Sequence, residues 1–115
     1  MTFHAQEYWR QRFAADRAQL EKTRQEGLAQ ATKAAAAMRQ RWPQIRAIYL
    51  FGSVFDDRFR GHSDLDLLVD GLQPEALLNA IAIAEGTGPL PVDLKRSEDL
   101  SEDLVQRLLR KSQTL

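Results

Sequence analysis

A long stretch without proline, from His4 to Trp42, most restricts what this chain can fold into. It contains one glycine, Gly27, and is rich in Ala, Gln, Glu, Arg and Lys, which favour the α-helix. In its second half, larger side chains recur every three or four residues and so share one helical face: Leu28, Ala31, Ala35, Met38 and Trp42. Pro43 ends the stretch, because the residue before a proline avoids the helical conformation. Residues 1–42 are therefore predicted to form a long N-terminal helical extension, and residues 43–115 the remaining domain.

The first half of this extension leaves two questions open. Gly27 either divides two helices or lies within one, since a glycine weakens a helix without always breaking it. Trp9, Phe13 and Leu20 lie four and seven residues apart on a polar background. These three side chains either form an interface for a partner or fold back onto the chain's own core.

The second part of the chain alternates between apolar segments typical of strands and amphipathic segments typical of helices. The predicted elements are, in order, strand, strand, helix, strand and helix: 45–51, 64–69, 74–85, 91–95 and a last helix that starts at Ser97. Pro74 suits the first position of a helix, and Ser97 suits an N-cap. This order predicts an α/β (α+β) domain with a small mixed sheet flanked by helices.

The composition excludes several classes of protein. The chain has no cysteine, which rules out disulfides, thiolate metal sites and a cysteine nucleophile, and fits a reducing cytoplasm. No apolar run approaches the roughly 20 residues that span a membrane. The formal net charge is zero, with eight Lys and Arg against four Asp and Glu in residues 1–42, and eight against twelve in residues 43–115. We therefore expect neither membrane insertion nor direct binding of nucleic acid.

Two aspartates, Asp64 and Asp66, lie in a segment that otherwise resembles a protein core, Leu65 to Val69. In a strand, residues i and i+2 point to the same face, so the two carboxylates are expected side by side. Like charges at this spacing repel each other, and a divalent cation such as Mg²⁺ relieves the repulsion. The alternative is a pair of surface aspartates on an edge strand.

A Gly-Ser pair, Gly52 and Ser53, directly follows the first predicted strand. Glycine at this position lets a backbone approach a phosphate closely, and the following N–H groups and the serine hydroxyl bind anionic oxygens. The alternative is an ordinary turn between two elements.

Taken together, Gly-Ser, ten residues and Asp-x-Asp resemble the signature of the DNA polymerase β-like nucleotidyltransferase superfamily. The short chain resembles its minimal nucleotidyltransferases, which act as antitoxins beside HEPN-domain toxins. The resemblance implies a third carboxylate on a later strand, and Asp93 in "PVDLK" takes that place. It also implies that Asp64, Asp66 and Asp93 are catalytic and hold two Mg²⁺ ions, and that Gly52 and Ser53 bind the triphosphate of ATP.

One departure from the family pattern concerns the cation beside the triphosphate. Many minimal members have an arginine directly after Gly-Ser, whereas this chain has Val54. Arg58 and Arg60 follow later and are the candidates for nucleotide binding. His62 lies in the same segment and is interpreted as a loop residue rather than a ligand.

The resemblance implies transfer of AMP from ATP to a hydroxyl. Residues 94–115 are long enough for one helix but not for a substrate domain, which favours an acceptor on another protein and hence a hetero-oligomer. In the minimal family the acceptor is a tyrosine of the partner HEPN toxin, an RNase, and the transfer neutralises it. Two alternatives stay open: an antitoxin that acts by stoichiometric binding without catalysis, and one half of an antibiotic nucleotidyltransferase.

Overall fold

The computed structural model describes residues 2–56, 59 and 63–115, with side chains from residue 5 onward. Its helices and strands follow in the order α1 (Thr2–Arg41), β1 (Ala47–Phe51), β2 (Leu65–Asp70), α2 (Leu77–Glu85), β3 (Val92–Arg96), α3 (Glu102–Leu109) and β4 (Ser112–Thr114). Short 3-10 turns precede α2 and α3 and follow β1: Pro74–Ala76, Ser97–Asp99 and Ser53–Phe55. Within the described residues, no helix is long and apolar enough to cross a membrane.

Helix α1 is continuous through Gly27, so this glycine does not divide two helices. A Cβ at Gly27 would lie 3.1 Å from Leu90 Cδ1 and 3.2 Å from Leu65 Cδ2. The glycine therefore lets α1 pack closely on the domain. The predicted apolar face of the second half is buried there, with Ala31 and Met38 fully shielded from solvent.

The first half of α1 behaves differently. Side chains 5–19 are exposed, including Trp9 at 54% and Phe13 at 60%. These two aromatic side chains do not fold back onto the core, whereas Leu20 packs partly against it. The point at which α1 joins the domain is therefore close to Leu20.

The four strands form one sheet in the order β3-β2-β1-β4. The sequence analysis predicted a small mixed sheet but not its strand order. Strand β1 is antiparallel to both β2 and β4, and β2 is parallel to β3. The strand β4 was not predicted, because three polar residues at the end of the chain carry no apolar pattern. Leu115 extends the pairing by donating its N–H to the carbonyl oxygen of Ile48 over 2.8 Å.

The two faces of the sheet have different neighbours. One face packs against α1 and α2 and forms the hydrophobic core, to which the strands contribute Ile48, Leu50, Leu65, Leu67 and Leu94. Alternation along β2 places Asp66 on the opposite face, which α3 partly covers through its contacts with β1. The core thus holds the strands in place, and the carboxylate of Asp66 lies on the face of the sheet away from the core.

The start of the last helix differs from the prediction. Ser97 is not its N-cap: the Ser97 hydroxyl hydrogen-bonds to Asp70 Oδ1 over 3.1 Å, within the turn that follows β3. Helix α3 begins later, with Ser101 as N-cap, whose Oγ accepts the N–H of Leu104 over 3.2 Å. Asp99, at the end of the same 3-10 turn, forms a 2.6 Å ion pair with Arg96. These side-chain contacts hold the segment against β2 and β3, and the helix starts only beyond it.

Candidate active site

Two of the predicted carboxylates lie side by side on the sheet. The parallel register of β2 and β3 pairs Asp66 with Asp93, and paired residues on neighbouring strands project from the same face. Both side chains are partly buried. Asp64 does not belong to the strand as predicted: it immediately precedes β2 and is exposed.

The electrostatics of the site are those of crowded carboxylates. Burial and then the charge of Asp93 raise the pKa of Asp66 from 3.8 to about 6, and Asp64 adds a smaller effect in the same direction. Lys95 opposes the shift in the pKa of Asp66. Its ammonium group lies 2.8 Å from Asp93 Oδ2. The ionised form of Asp66 is therefore disfavoured unless a cation reaches it.

Gly52 brings the Gly-Ser motif directly against this pair. The last residue of β1, Phe51, is paired with Asp66, so the next residue lies beside the Asp66 carboxylate. A Cβ at Gly52 would overlap Asp66 Oδ2 and lie 3.0 Å from Asp66 Cγ. Gly52 also has a φ of 89°, in the region that favours glycine. Ser53 follows, partly buried, and starts a 3-10 turn.

The donor set suits a hard divalent cation. Asp66 and Asp93 offer carboxylate oxygens, the ligands that Mg²⁺ prefers, and burial together with the charge of Asp93 raises the pKa of Asp66. Among the described residues, no three Asp, Glu, His or Cys side chains are close enough together to form a metal site. The structure therefore brings two of the three predicted metal ligands together, and Asp64 stands at the edge of the site.

The predicted nucleotide-binding arginines, Arg58 and Arg60, lie outside the described residues, as does His62. The sequence analysis missed two other basic residues near the motif. Arg107, in the last turn of α3, and Lys111, two residues beyond its end, line a pocket of about 160 Å³ together with Gly52. The available signal was their spacing of four residues, which places two cations on one side of a helix.

A comparison with protein families matches residues 33–115 to the family described as polymerase beta, nucleotidyltransferase. The matched residues include the whole Gly-Ser and Asp-x-Asp motif, Asp93 and α3. No curated protein sequence is similar enough to this chain to be matched.

Solved structures with the same fold include several toxin–antitoxin complexes. One is a tri-AMPylated Shewanella oneidensis HEPN toxin in complex with an MNT antitoxin (23% identity, TM-score 0.59, covering 76% of this chain and 70% of that one). Another is a toxin–antitoxin with AMP-PNP (24%, TM-score 0.63, 73% and 70%). A third is described as a minimal nucleotidyltransferase (27%, TM-score 0.58, 73% and 90%). The predicted similarity to the minimal nucleotidyltransferases is thereby confirmed.

Proposed function

The chain belongs to the polymerase β nucleotidyltransferase family, and on this basis we propose that it is an antitoxin that transfers AMP from ATP to a partner protein. The acceptor is a hydroxyl, that of a tyrosine, on a HEPN-domain RNase toxin, which the modification neutralises. The observation that carries the proposal is the junction at Asp66, whose carboxylate lies against the backbone of Gly52 and whose neighbour on the next strand is Asp93. The AMPylated toxin in one structural neighbour and the ATP analogue in another support the choice of reaction.

The transfer itself is a displacement at the α-phosphorus of ATP. The acceptor oxygen forms a bond to this phosphorus, the bond to the oxygen that bridges to the β-phosphorus breaks, and pyrophosphate leaves. The acceptor hydroxyl loses its proton, and Asp93 is the proposed group that receives it. Gly52 has no side chain, which lets the Asp66 carboxylate lie directly against its backbone, and the α-phosphate is proposed to bind beside this carboxylate.

Asp66 and Asp93, with Asp64 at the edge of the site, are the residues that would hold Mg²⁺. The ions would supply positive charge to the phosphate oxygens and lower the pKa of the attacking hydroxyl. The residues contribute rigidity: Leu65 and Leu67, on either side of Asp66, are fully buried and fix the strand. We also place the reaction in the cytoplasm, where ATP is available, and expect a hetero-oligomer with the toxin.

Asp93→Asn tests the proposal, because it keeps the shape of the side chain and removes its charge. The purified chain is mixed with its candidate toxin, ATP and Mg²⁺, and the mass of the toxin is followed. The wild type is expected to add AMP units, and the variant is expected to react about 10²–10⁴-fold more slowly while still binding the toxin.

The same experiment separates catalysis from stoichiometric inhibition. If the wild-type chain silences the toxin without changing its mass, and Asp93→Asn silences it equally well, the enzymatic proposal is wrong. Inhibition by binding alone then takes its place.

A further inference from the structure

A small pocket lies between the Gly-Ser turn and the end of α3. Its volume is about 160 Å³, and its walls are formed by Phe51, Gly52, Asp56, Arg107, Leu108 and Lys111. Gly52 lies between this pocket and the carboxylate pair. It lines the pocket, and a Cβ built on it would contact Asp66. Only Gly52 therefore separates the pocket from Asp66.

The fold fixes the two cations at this pocket. Strand β4 pairs Ser112 with Phe51, so Lys111 must lie beside the end of β1. The backbone N–H of Arg110 donates to the carbonyl oxygen of Arg107 over 3.3 Å, which continues the turn beyond α3 to Arg110, the residue before Lys111. The Ser112 hydroxyl also donates to the carbonyl oxygen of Leu109 over 2.9 Å. Two cations thus face the Gly-Ser turn from a segment held at both ends.

The charge of these two side chains is not balanced by an ion pair in the part of the chain that the structure describes. Some basic residues there have carboxylate partners, for example Arg46 with Asp70 and Arg96 with Asp99, whereas others, such as the exposed Arg110, have none within that part. Arg107 and Lys111 have no such partner among the described residues. The pocket holds one carboxylate, that of Asp56, against two cations, so its net charge favours an anion.

We propose that Arg107 and Lys111 bind the β- and γ-phosphates of the nucleoside triphosphate. The proposal rests on the proposed function, because it takes the α-phosphate to lie at Asp66 and the rest of the triphosphate to cross Gly52 into this pocket. An arginine suits a phosphate through two parallel N–H···O bonds, and a lysine contributes a point charge. The pair joins Arg58 and Arg60, which lie outside the described residues, as candidates for the cation beside the triphosphate.

The test is calorimetric binding of ATP in the presence of Mg²⁺ to the full chain and to Arg107→Gln, Lys111→Gln and the double variant. Each single change is expected to weaken ATP binding about tenfold, since a hydrogen bond to a charged group contributes on this scale. AMP, which lacks the outer phosphates, is expected to bind all variants equally. Inorganic tripolyphosphate is expected to compete with ATP on the wild type and to lose this effect on the double variant.

Arg110→Gln is the matched control, because Arg110 is exposed on the same turn and does not line the pocket. It is expected to leave ATP binding unchanged. ATP binding by the double variant at the wild-type level would overturn the inference and leave the proposed function standing. A loss of AMP binding together with ATP binding would also overturn it, since it indicates a general structural role. If the wild type itself binds no ATP, the proposed function fails first.

Discussion

Replacing Asp66 by asparagine is expected to stabilise the metal-free protein at neutral pH. The folded state raises the pKa of Asp66 from 3.8 to about 6, through burial first and then through Asp93. A carboxyl group with a raised folded-state pKa makes the protein less stable as pH rises between these two values. The unfolded chain has already lost the proton there, and the folded chain must still lose it. Asp66→Asn has no charge to bury and escapes this cost.

The magnitude follows from the size of the shift. About two pKa units correspond to about 3 kcal/mol, at about 1.36 kcal/mol per unit. Asp66 is only partly buried, so solvent screening lowers this to about 1–2 kcal/mol in the free energy of unfolding at pH 7.5. At pH 4.5 the folded carboxyl is mostly protonated, and about a third of the difference should remain.

Urea unfolding of both proteins with EDTA at pH 4.5, 6 and 7.5 measures the difference. Asp93→Asn and Asp64→Asn serve as graded controls, because Asp93 raises the pKa of Asp66 more than Asp64 does. Both are expected to lower the pKa of Asp66, and Asp93→Asn more so. A difference between wild type and Asp66→Asn that does not change with pH, or a variant that is less stable at pH 7.5, would refute the reasoning.

Two further predictions concern the support of the site. Gly52→Ala is expected to lose about 2 kcal/mol of stability and most nucleotide binding in calorimetry, because its Cβ would overlap a carboxylate oxygen of Asp66. Gly86→Ala is the control and should be tolerated, since Gly86 has an ordinary φ of −71°. Equal losses of stability and nucleotide binding in the two variants would contradict the argument. A chain that starts at Leu20 is expected to keep the stability and ATP affinity of the full chain. A chain that starts at Leu28 should lose both, since it lacks Arg24, whose Nε and Nη2 donate to two carbonyl oxygens in the Gly-Ser turn over 2.9 and 3.1 Å. Equal stability of the two truncated chains would show that these bonds contribute little.

The sequence predicted those parts of the site that depend on local pattern. The Gly-Ser turn, the strand that carries Asp66 and the buried face of α1 each have a signal within a short window of sequence. The adjacency of Asp66 and Asp93 needed the family resemblance, because a parallel register between strands more than 20 residues apart leaves no local trace. The strand was predicted to begin at Asp64, one residue before the observed start of β2. Local sequence pattern defines the ends of an element least well, because pairing stops there.

The parts that the sequence analysis missed all depend on tertiary contacts. Strand β4 exists because β1 offers an unpaired edge, not because Ser112 to Thr114 favours a strand. The same pairing brings Lys111 close to Gly52. Because β4 was not predicted from the sequence, the basic pocket could not be predicted either. Helix α3 begins at Ser101 because the side chains before it are engaged with β2 and β3, and a capping pattern alone cannot distinguish two serines four residues apart.

Helix α1 supports both halves of the site from residues outside the family match, which begins at residue 33. Arg24 bonds to the carbonyl oxygens of Val54 and Asp56, directly after the Gly-Ser pair. The Gln30 side chain accepts the N–H of Leu90 over 2.9 Å and donates to its carbonyl oxygen over 2.8 Å, two residues before the strand that carries Asp93. Gln30 is buried, so these bonds are shielded from competing water. The two segments that meet at the carboxylate pair are thus each fastened to the same helix. This helix can fix their separation only if it stays continuous through Gly27, and the close packing of Gly27 against Leu90 and Leu65 explains why a glycine stands there.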